Sequence, residues 1–340
     1  MHLNQPDWWY ENQRLLNRSI AFLLQPAGAA YNLAHRIRTR WHAPYESQLP
    51  VVCVGNFTIG GGGKTPTAIH ISKLYKQQGM KPVFLTRGYG GREAGPYLVD
   101  PKRDDAVKVG DEPLLLARHA PTLVSRSRKK GAQFIEGLEA DVIIMDDGFQ
   151  NPTLKKDLCV ITIDNQSGLG NEKIFPAGPL RASLRWQAPR ANLILMIGAE
   201  APHGCLVKIQ RKGFAGDVLE ATTAPVETPD WLQDKSIVAY TGIARPQKFM
   251  DTLTQQGAQI SAFYAFPDHY RFRENDAKSL LATAESSNAV LVTTEKDWVR
   301  IPEEPGIFGE LKSKSKQMVI SLQLNADGEA RFVERLQSVI

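Results

Sequence analysis

A run of glycines, Gly60, Gly61, Gly62 and Gly63, leads into Lys64 and Thr65 shortly after the apolar stretch VVCVG. Glycines let successive backbone N–H groups turn towards an anion without steric cost. A lysine next to them can reach the β- and γ-phosphates of a nucleotide, and a threonine hydroxyl can ligate Mg²⁺. The strict phosphate-loop pattern has a glycine where Thr58 stands. Strand context before the turn and helix context after it outweigh that departure, and the stretch is read as a nucleotide-phosphate site.

Other residues with chemical potential follow apolar runs. VIIMDDGFQ places Asp146 and Asp147 where a phosphate-loop enzyme holds Mg²⁺ or its water. Paired carboxylates also occur in ordinary turns, and Gln150 either orients a ligand or begins a loop. TRGYGG, Thr86 to Gly91, offers Arg87 as a forked phosphate contact. Arg126 and Arg128, in SRSRKK with Lys129 and Lys130, are phosphate contacts or a solvated basic loop. Asp111 and Glu112 of GDEP suit any first helical turn through the helix dipole. Asp268 and His269 of FPDHY could supply or tune a general base, although a lone histidine is more often structural.

These residues need a scaffold. Apolar runs without alternation at 82–87, 122–125, 141–146, 158–164 and 193–197 recur with helix-length spacers. That spacing predicts a parallel sheet with helices on both faces and function at the carboxyl ends of its strands. Ala68, Ile71, Leu74 and Tyr75 give the helix after Lys64 a buried stripe. A second series, at 237–243, 260–266, 289–294 and 317–324, predicts a smaller α/β domain. The segment 200–235, with Pro202, Pro225 and Pro229, reads as the connection. The expected division is residues 1–45 as an N-terminal helical segment, 46–200 as the phosphate-loop domain and 201–340 as the smaller domain.

In the N-terminal segment the uncharged run Ser19 to Ala34 is too short to span a bilayer and contains Gln25 and Pro26. It lacks the cleavage pattern of a signal peptide. Arg14, Arg18, Arg36, Arg38 and Arg40 flank it, and Trp8, Trp9 and Trp41 suit a headgroup region. The segment is therefore expected to lie on an anionic membrane surface, with helices packed on the core as the alternative.

The chain has 340 residues, a net charge of +5 and 42% hydrophobic residues, as expected for a folded protein with anionic partners. Cys53, Cys159 and Cys205 have no metal spacing and read as buried free thiols. No interleaved basic–aromatic groove supports nucleic-acid binding.

The ordered set VGNFTIGGGGKTP, RGYGG, GDEP, DDGFQ, FPAGPLR, TGIARP, FPDHY and TEKD resembles the tetraacyldisaccharide 4′-kinase family of lipid A biosynthesis over nearly the whole chain. That resemblance implies transfer of the γ-phosphate of ATP, with Mg²⁺, to the 4′-hydroxyl of a tetraacylated glucosamine disaccharide 1-phosphate. It places the reaction at the cytoplasmic face of the bacterial inner membrane. The implied fold is α/β: a phosphate-loop NTPase-like parallel-sheet domain, a smaller α/β domain and a membrane-associated N-terminal helical segment. By motif, Thr58 and Gly60 to Lys64 hold nucleotide, Thr65 and Asp146 the metal, and Asp147 accompanies them. Asp111 acts as base assisted by His269, and Arg87, Arg128 and Gln150 are further site positions. Gly62 stands where the family usually has a small hydroxyl residue, and Ala182 where it usually has Glu. The competing reading is a membrane-associated phosphate-loop ATPase or GTPase switch, which would need no acceptor base.

Overall fold

The computed structural model describes residues 6–11, 14–198, 204–226, 232 and 235–340. Helices α1 (Leu15–Leu23) and α2 (Gln25–Trp41) precede β1 (Val51–Gly55), α3 (Lys64–Gln77), β2 (Pro82–Thr86), β3 (Tyr97–Leu98), α4 (Asp111–Ala117), β4 (Thr122–Val124), α5 (Arg128–Ile135) and β5 (Val142–Asp146). There follow β6 (Leu158–Asp164), α6 (Leu184–Gln187), β7 (Leu193–Ile197), α7 (Cys205–Gln210) and β8 (Asp217–Pro225). The remainder is β9 (Ser236–Thr241), α8 (Pro246–Gln255), β10 (Gln259–Ala265), α9 (Glu274–Ser286), β11 (Val290–Thr294), α10 (Glu295–Trp298), α11 (Ile307–Lys314), β12 (Ser315–Met318), β13 (Ile320–Gln323) and α12 (Ala326–Gln337).

A nine-stranded sheet runs β13-β8-β7-β6-β1-β5-β2-β4-β3, and a four-stranded one runs β10-β9-β11-β12. All pairs are parallel except β3 with β4 and β13 with β8. Every residue of β1, β2, β5, β6 and β7 is buried, which explains their unalternating apolar sequences. Alternate side chains feed two cores. Val51 and Cys53 join Ile143, Met145 and Ile161 on one face, while Val52 and Val54 meet Ala68, Ile71 and Tyr75 of α3 on the other. Strand β1 lies between β5 and β6, so the chain leaves in opposite directions from its neighbours and opens a crevice at its carboxyl end.

The expected boundary between residues 200 and 201 is crossed by the sheet. Strand β8 pairs with β7, β13 pairs with β8, and Phe332 and Leu336 of α12 sit in the core beside α3. The second sheet is thus an insertion between β8 and β13. The stretch 317–324, expected as one strand, is two: β12 pairs with β11 in the small sheet, and β13 with β8 in the large one. The expected connection holds α7 and β8, with Pro225 closing β8; Pro202 and Pro229 lie outside the described residues.

All three cysteines are free and buried. Trp9 is also buried, and its indole donates to Pro176 O at 3.0 Å, so it anchors the N-terminus to the core and does not face outward as expected. Leu15, Leu16, Phe22, Leu23 and Trp41 are 70–82% exposed. Among the described residues no helix is long and apolar enough to cross a membrane.

Candidate active site

At the carboxyl end of β1 the chain turns through Asn56 to Gly63 and enters α3. Gly63 has φ 80°, and a Cβ there would come within 2.5 Å of Ile197 Cδ1, so the turn requires glycine. Gly62 has room, since a Cβ would meet Thr162 Oγ1 at 3.4 Å and Asn56 Nδ2 at 3.5 Å. The loop is pinned from outside: Ile59 N donates to Pro179 O at 2.8 Å and Arg181 Nε donates to Thr58 O at 3.0 Å. Lys64 Nζ donates to Gly60 O at 3.1 Å and lies 4.0 Å from Asp147 Oδ1. Thr65 sits at the amino end of α3, partly buried.

Asp146 ends β5 and is 1% exposed. Burial, then the charges of Glu112 and Asp147, push its carboxyl up to about 7 against the pull of Lys64 and Arg128. Its Oδ1 is buried with no hydrogen-bond partner. Asp147 differs. Burial would raise it too, but the Arg181 fork, at 2.7 and 3.1 Å, together with Lys64 and Arg128 holds it well below the carboxylate range. Gln150 Nε2 donates to Asn56 O at 2.8 Å and to Gln187 Oε1 at 2.9 Å, making it a strut behind the loop. Arg128 begins α5, is 3% exposed and donates to Ser125 O. Burial lowers its guanidinium to about 10, with Asp147 opposing. Arg87 is exposed at the end of β2, near enough to Arg128 for the two cations to repel.

The second half of the site joins the two sheets. Gly110 has φ 95° and a Cβ there would lie 2.5 Å from Tyr89 O, so RGYGG and GDEP touch backbone to backbone. Asp111 then opens α4, 5% exposed. His269 Nδ1 donates to Asp111 Oδ2 at 2.7 Å, with the histidine held at φ 57° by a turn in which its N–H reaches Gly242 O. Burial would raise Asp111, but His269, Lys296 and Arg300 together hold it well below the carboxylate range. Glu112 links the halves, since its charge acts on Asp146 and its carboxylate pairs with Lys296 at 3.2 Å.

The residues expected from sequence thus fall into two groups: Lys64, Thr65, Asp146, Asp147, Arg128 and Gln150 around the loop, and Asp111 with His269 across the interface. Sequence reasoning missed Arg181, Lys296 and Arg300, whose partners are distant in sequence. Their signal was the arginine of FPAGPLR and the basic residues within and just after TEKD. Among the described residues no three His, Cys, Asp or Glu side chains converge as a metal cage. A cavity of about 690 Å³ lies elsewhere, beside α2, with Arg36, Arg40, Lys155, Trp186 and Arg190 in its wall.

The family model for Tetraacyldisaccharide-1-P 4'-kinase matches residues 20–340. A Tetraacyldisaccharide 4'-kinase of Methylorubrum extorquens (strain PA1) is 46% identical over 305 residues, 89% of this chain and 90% of that protein. The enzyme of that name from Rhodopseudomonas palustris (strain BisB5) is 41% identical over 332 residues, 97% of this chain and 95% of that protein. Among solved structures, LpxK from Aquifex aeolicus in complex with ATP superposes with a TM-score of 0.71 at 21% identity, covering 93% of this chain and 99% of that one, which speaks to the fold.

Proposed function

The chain belongs to the tetraacyldisaccharide-1-P 4'-kinase family, and we infer that it is the ATP-dependent kinase acting on the 4′-hydroxyl of a tetraacylated glucosamine disaccharide 1-phosphate, yielding lipid IVA. The observation that carries this reading is the pairing of two sites: a phosphate loop beside an unpartnered buried carboxylate, and an Asp–His pair next to it. A nucleotide switch has no use for the second, and the named relatives are kinases.

The residues fit Mg²⁺. Asp146 Oδ1 is a buried oxygen without a partner, Thr65 offers a hydroxyl, and Mg²⁺ commonly uses few protein ligands beside phosphate and water. Held by Asp146 and Thr65, Mg²⁺ would supply positive charge against the phosphates of the nucleotide. The protein's own groups do the rest. Loop N–H groups and the start of α3 receive the phosphates, and Lys64 exchanges Gly60 O for them. Arg128 and Arg87 balance the transferred phosphoryl group, and Arg181 holds Asp147 and Thr58 in place. The acceptor hydroxyl loses its proton to the Asp111–His269 pair as its oxygen meets phosphorus.

The acceptor lipid gives the N-terminus its purpose. Leu15, Leu16, Phe22, Leu23 and Trp41 project outward among Arg14, Arg18, Arg36, Arg38 and Arg40. That arrangement supports peripheral attachment of residues 1–45 to an anionic membrane, at the cytoplasmic face of the inner membrane. Incubation with γ-labelled ATP and the detergent-dispersed disaccharide lipid tests the activity: label is expected in the lipid, and ATP turnover indifferent to the lipid would refute the kinase reading.

A further inference from the structure

The cavity beside α2 has no task in the transfer described above, yet it is large and cationic. Its volume is about 690 Å³, and Arg36, Arg40, Lys155, Lys156 and Arg190 stand in its wall. Among the described residues the only carboxylate in that wall is Asp157, which accepts from Val51 N at 2.8 Å. Lys155 pairs with Glu46 at 3.3 Å, whereas Arg36, Arg40, Lys156 and Arg190 form no ion pair among the described residues. The floor is apolar. Phe149 is buried there, and the Trp186 ring meets His35 of α2 edge-on at 4.5 Å and carries the Arg190 guanidinium 4.5 Å from its centroid. Arg190 Nη1 also donates to Trp186 O at 2.7 Å, so this cation is held in place before any ligand arrives.

Helix α2 shows which way the cavity opens. Leu33, Ile37 and Trp41 are exposed, recur at four-residue spacing and make one outward apolar stripe. Arg36 and Arg40 share that spacing and form the adjoining row, on the side that lines the cavity. A helix lying with its stripe in a headgroup region therefore brings the rim of the cavity to the level of lipid phosphates. An apolar floor ringed by unpaired cations fits a phosphate carried on an apolar stem. A free polyanion would leave Phe149 and Trp186 unused. We propose that this cavity is a binding site for the phosphate headgroup of an anionic glycerophospholipid of the membrane on which the protein sits, separate from the phosphate loop. The proposal rests on the peripheral-attachment reading of the N-terminus. Arg36 and Arg40 fork the phosphate oxygens, Arg190 reaches them from the segment between α6 and β7, and Trp186 carries the glycerol end of the molecule. Such a site holds one lipid in one place, where a basic face alone would bind any negative surface.

The test uses the full chain and dihexanoylphosphatidylglycerol below its micellar concentration, a lipid phosphate that offers no surface. The nitrogen-15 indole signal of Trp186, assigned by Trp186→Phe, is expected to shift saturably. Arg36→Gln with Arg40→Gln, both changes at exposed side chains, should weaken that binding at least about 10-fold, since each removes a charge-assisted fork. Arg14→Gln with Arg18→Gln removes the same charge away from the cavity and should leave the affinity within about 2-fold at physiological salt. No saturable shift of the Trp186 signal, or equal weakening by both pairs, overturns the proposal. Inorganic phosphate and glycerol 3-phosphate should bind at least about 10-fold more weakly for want of the apolar stem. Equal affinity would mark a site for free phosphate and overturn it too. A fall in kcat/KM for the detergent-dispersed disaccharide in Arg36→Gln with Arg40→Gln, as large as the fall in lipid affinity, would assign the cavity to the acceptor and likewise overturn it. Failure of the wild type to sediment with phosphatidylglycerol vesicles would instead remove the membrane reading, and the soluble lipid would still decide whether the cavity takes a lipid phosphate.

Discussion

Asp146 and Asp111 are both carboxylates almost sealed from water, 1% and 5% exposed, and they stand at the carboxyl-terminal end of a strand and the amino-terminal end of a helix respectively. Around Asp146 the protein has left an oxygen without a partner and set two further acids nearby, so the group holds its proton up to about pH 7. Around Asp111 it has assembled an arginine, a histidine and a backbone amide, and the group stays ionised. Burial alone would raise both. The difference lies in the partners: the Asp111 site is complete within the protein, and the Asp146 site keeps an oxygen without a protein partner.

The largest expected effect is at the incomplete site. Asp146→Asn is expected to lower kcat by about 10³-fold, as loss of a strong electrostatic contact does. It should nevertheless stabilise the nucleotide-free protein at pH 8. The native carboxyl releases its proton near 7 and the unfolded one near 3.8, so the native state binds the extra proton between them. Stability therefore falls as pH rises through that window, by up to about 4 kcal/mol. Thermal melts at pH 5 and 8 check the sign; a variant less stable than wild type at pH 8 would break the comparison.

Asp111→Asn should do the opposite to stability. It leaves Arg300 buried with Asp297 and the more distant Asp268 as its remaining charged partners, a change that costs about 3–5 kcal/mol where buried pairs are broken. Because the native carboxyl is held below its unfolded value, its contribution is present above about pH 4 and is lost as pH falls. Denaturant titrations at pH 7 measure the loss, and kcat should drop about 10²-fold. A variant of unchanged midpoint would show that Asp297 and Asp268 suffice to hold the arginine.

Asp147 is the intermediate case, partly open to solvent and held by one fork. Arg181→Met should raise KM for ATP several-fold, about 10-fold at most, because Thr58 and the acid beside Lys64 lose the same support. Steady-state kinetics at saturating lipid isolate that term. The smallest effect on folding is expected on α1: Leu16→Ser and Phe22→Ser touch side chains without cover and should shift stability by no more than about 0.5 kcal/mol. The same variants should release the protein from anionic vesicles in sedimentation, and full retention would place the membrane contact elsewhere.

The parallel strands were legible because both faces of the sheet are covered, which makes VVCVG, VIIMD and LCVITID mostly apolar without alternation. Strand β8 was not, since DVLEATTAP mixes exposed and buried positions and its threonines resemble a linker. The division of 317–324 between two sheets leaves no local mark, because each half is a plausible strand. Chemistry followed the same rule. Lys64, Thr65 and Asp146 were readable from neighbours in sequence, whereas Arg181 and Arg300 meet carboxylates 34 and 189 residues away. Trp9 misled because an amphipathic ring suits a membrane interface and a core pocket equally well.

Synthesis runs from the amino end, and the helix that opens at Lys64 emerges long before the segment that covers it. Tyr75 donates to Leu336 O, 261 residues later, and His70 meets Glu329 and stacks on Phe332. Until β13 and α12 are made, one flank of that helix has no partner, and β8 is an open edge awaiting a strand 97 residues downstream at the Ser321–Ala224 contact. The nascent nucleotide loop is therefore carried on an unfinished support. Its ability to grip ATP would be acquired only after the inserted sheet has emerged and has had time to fold.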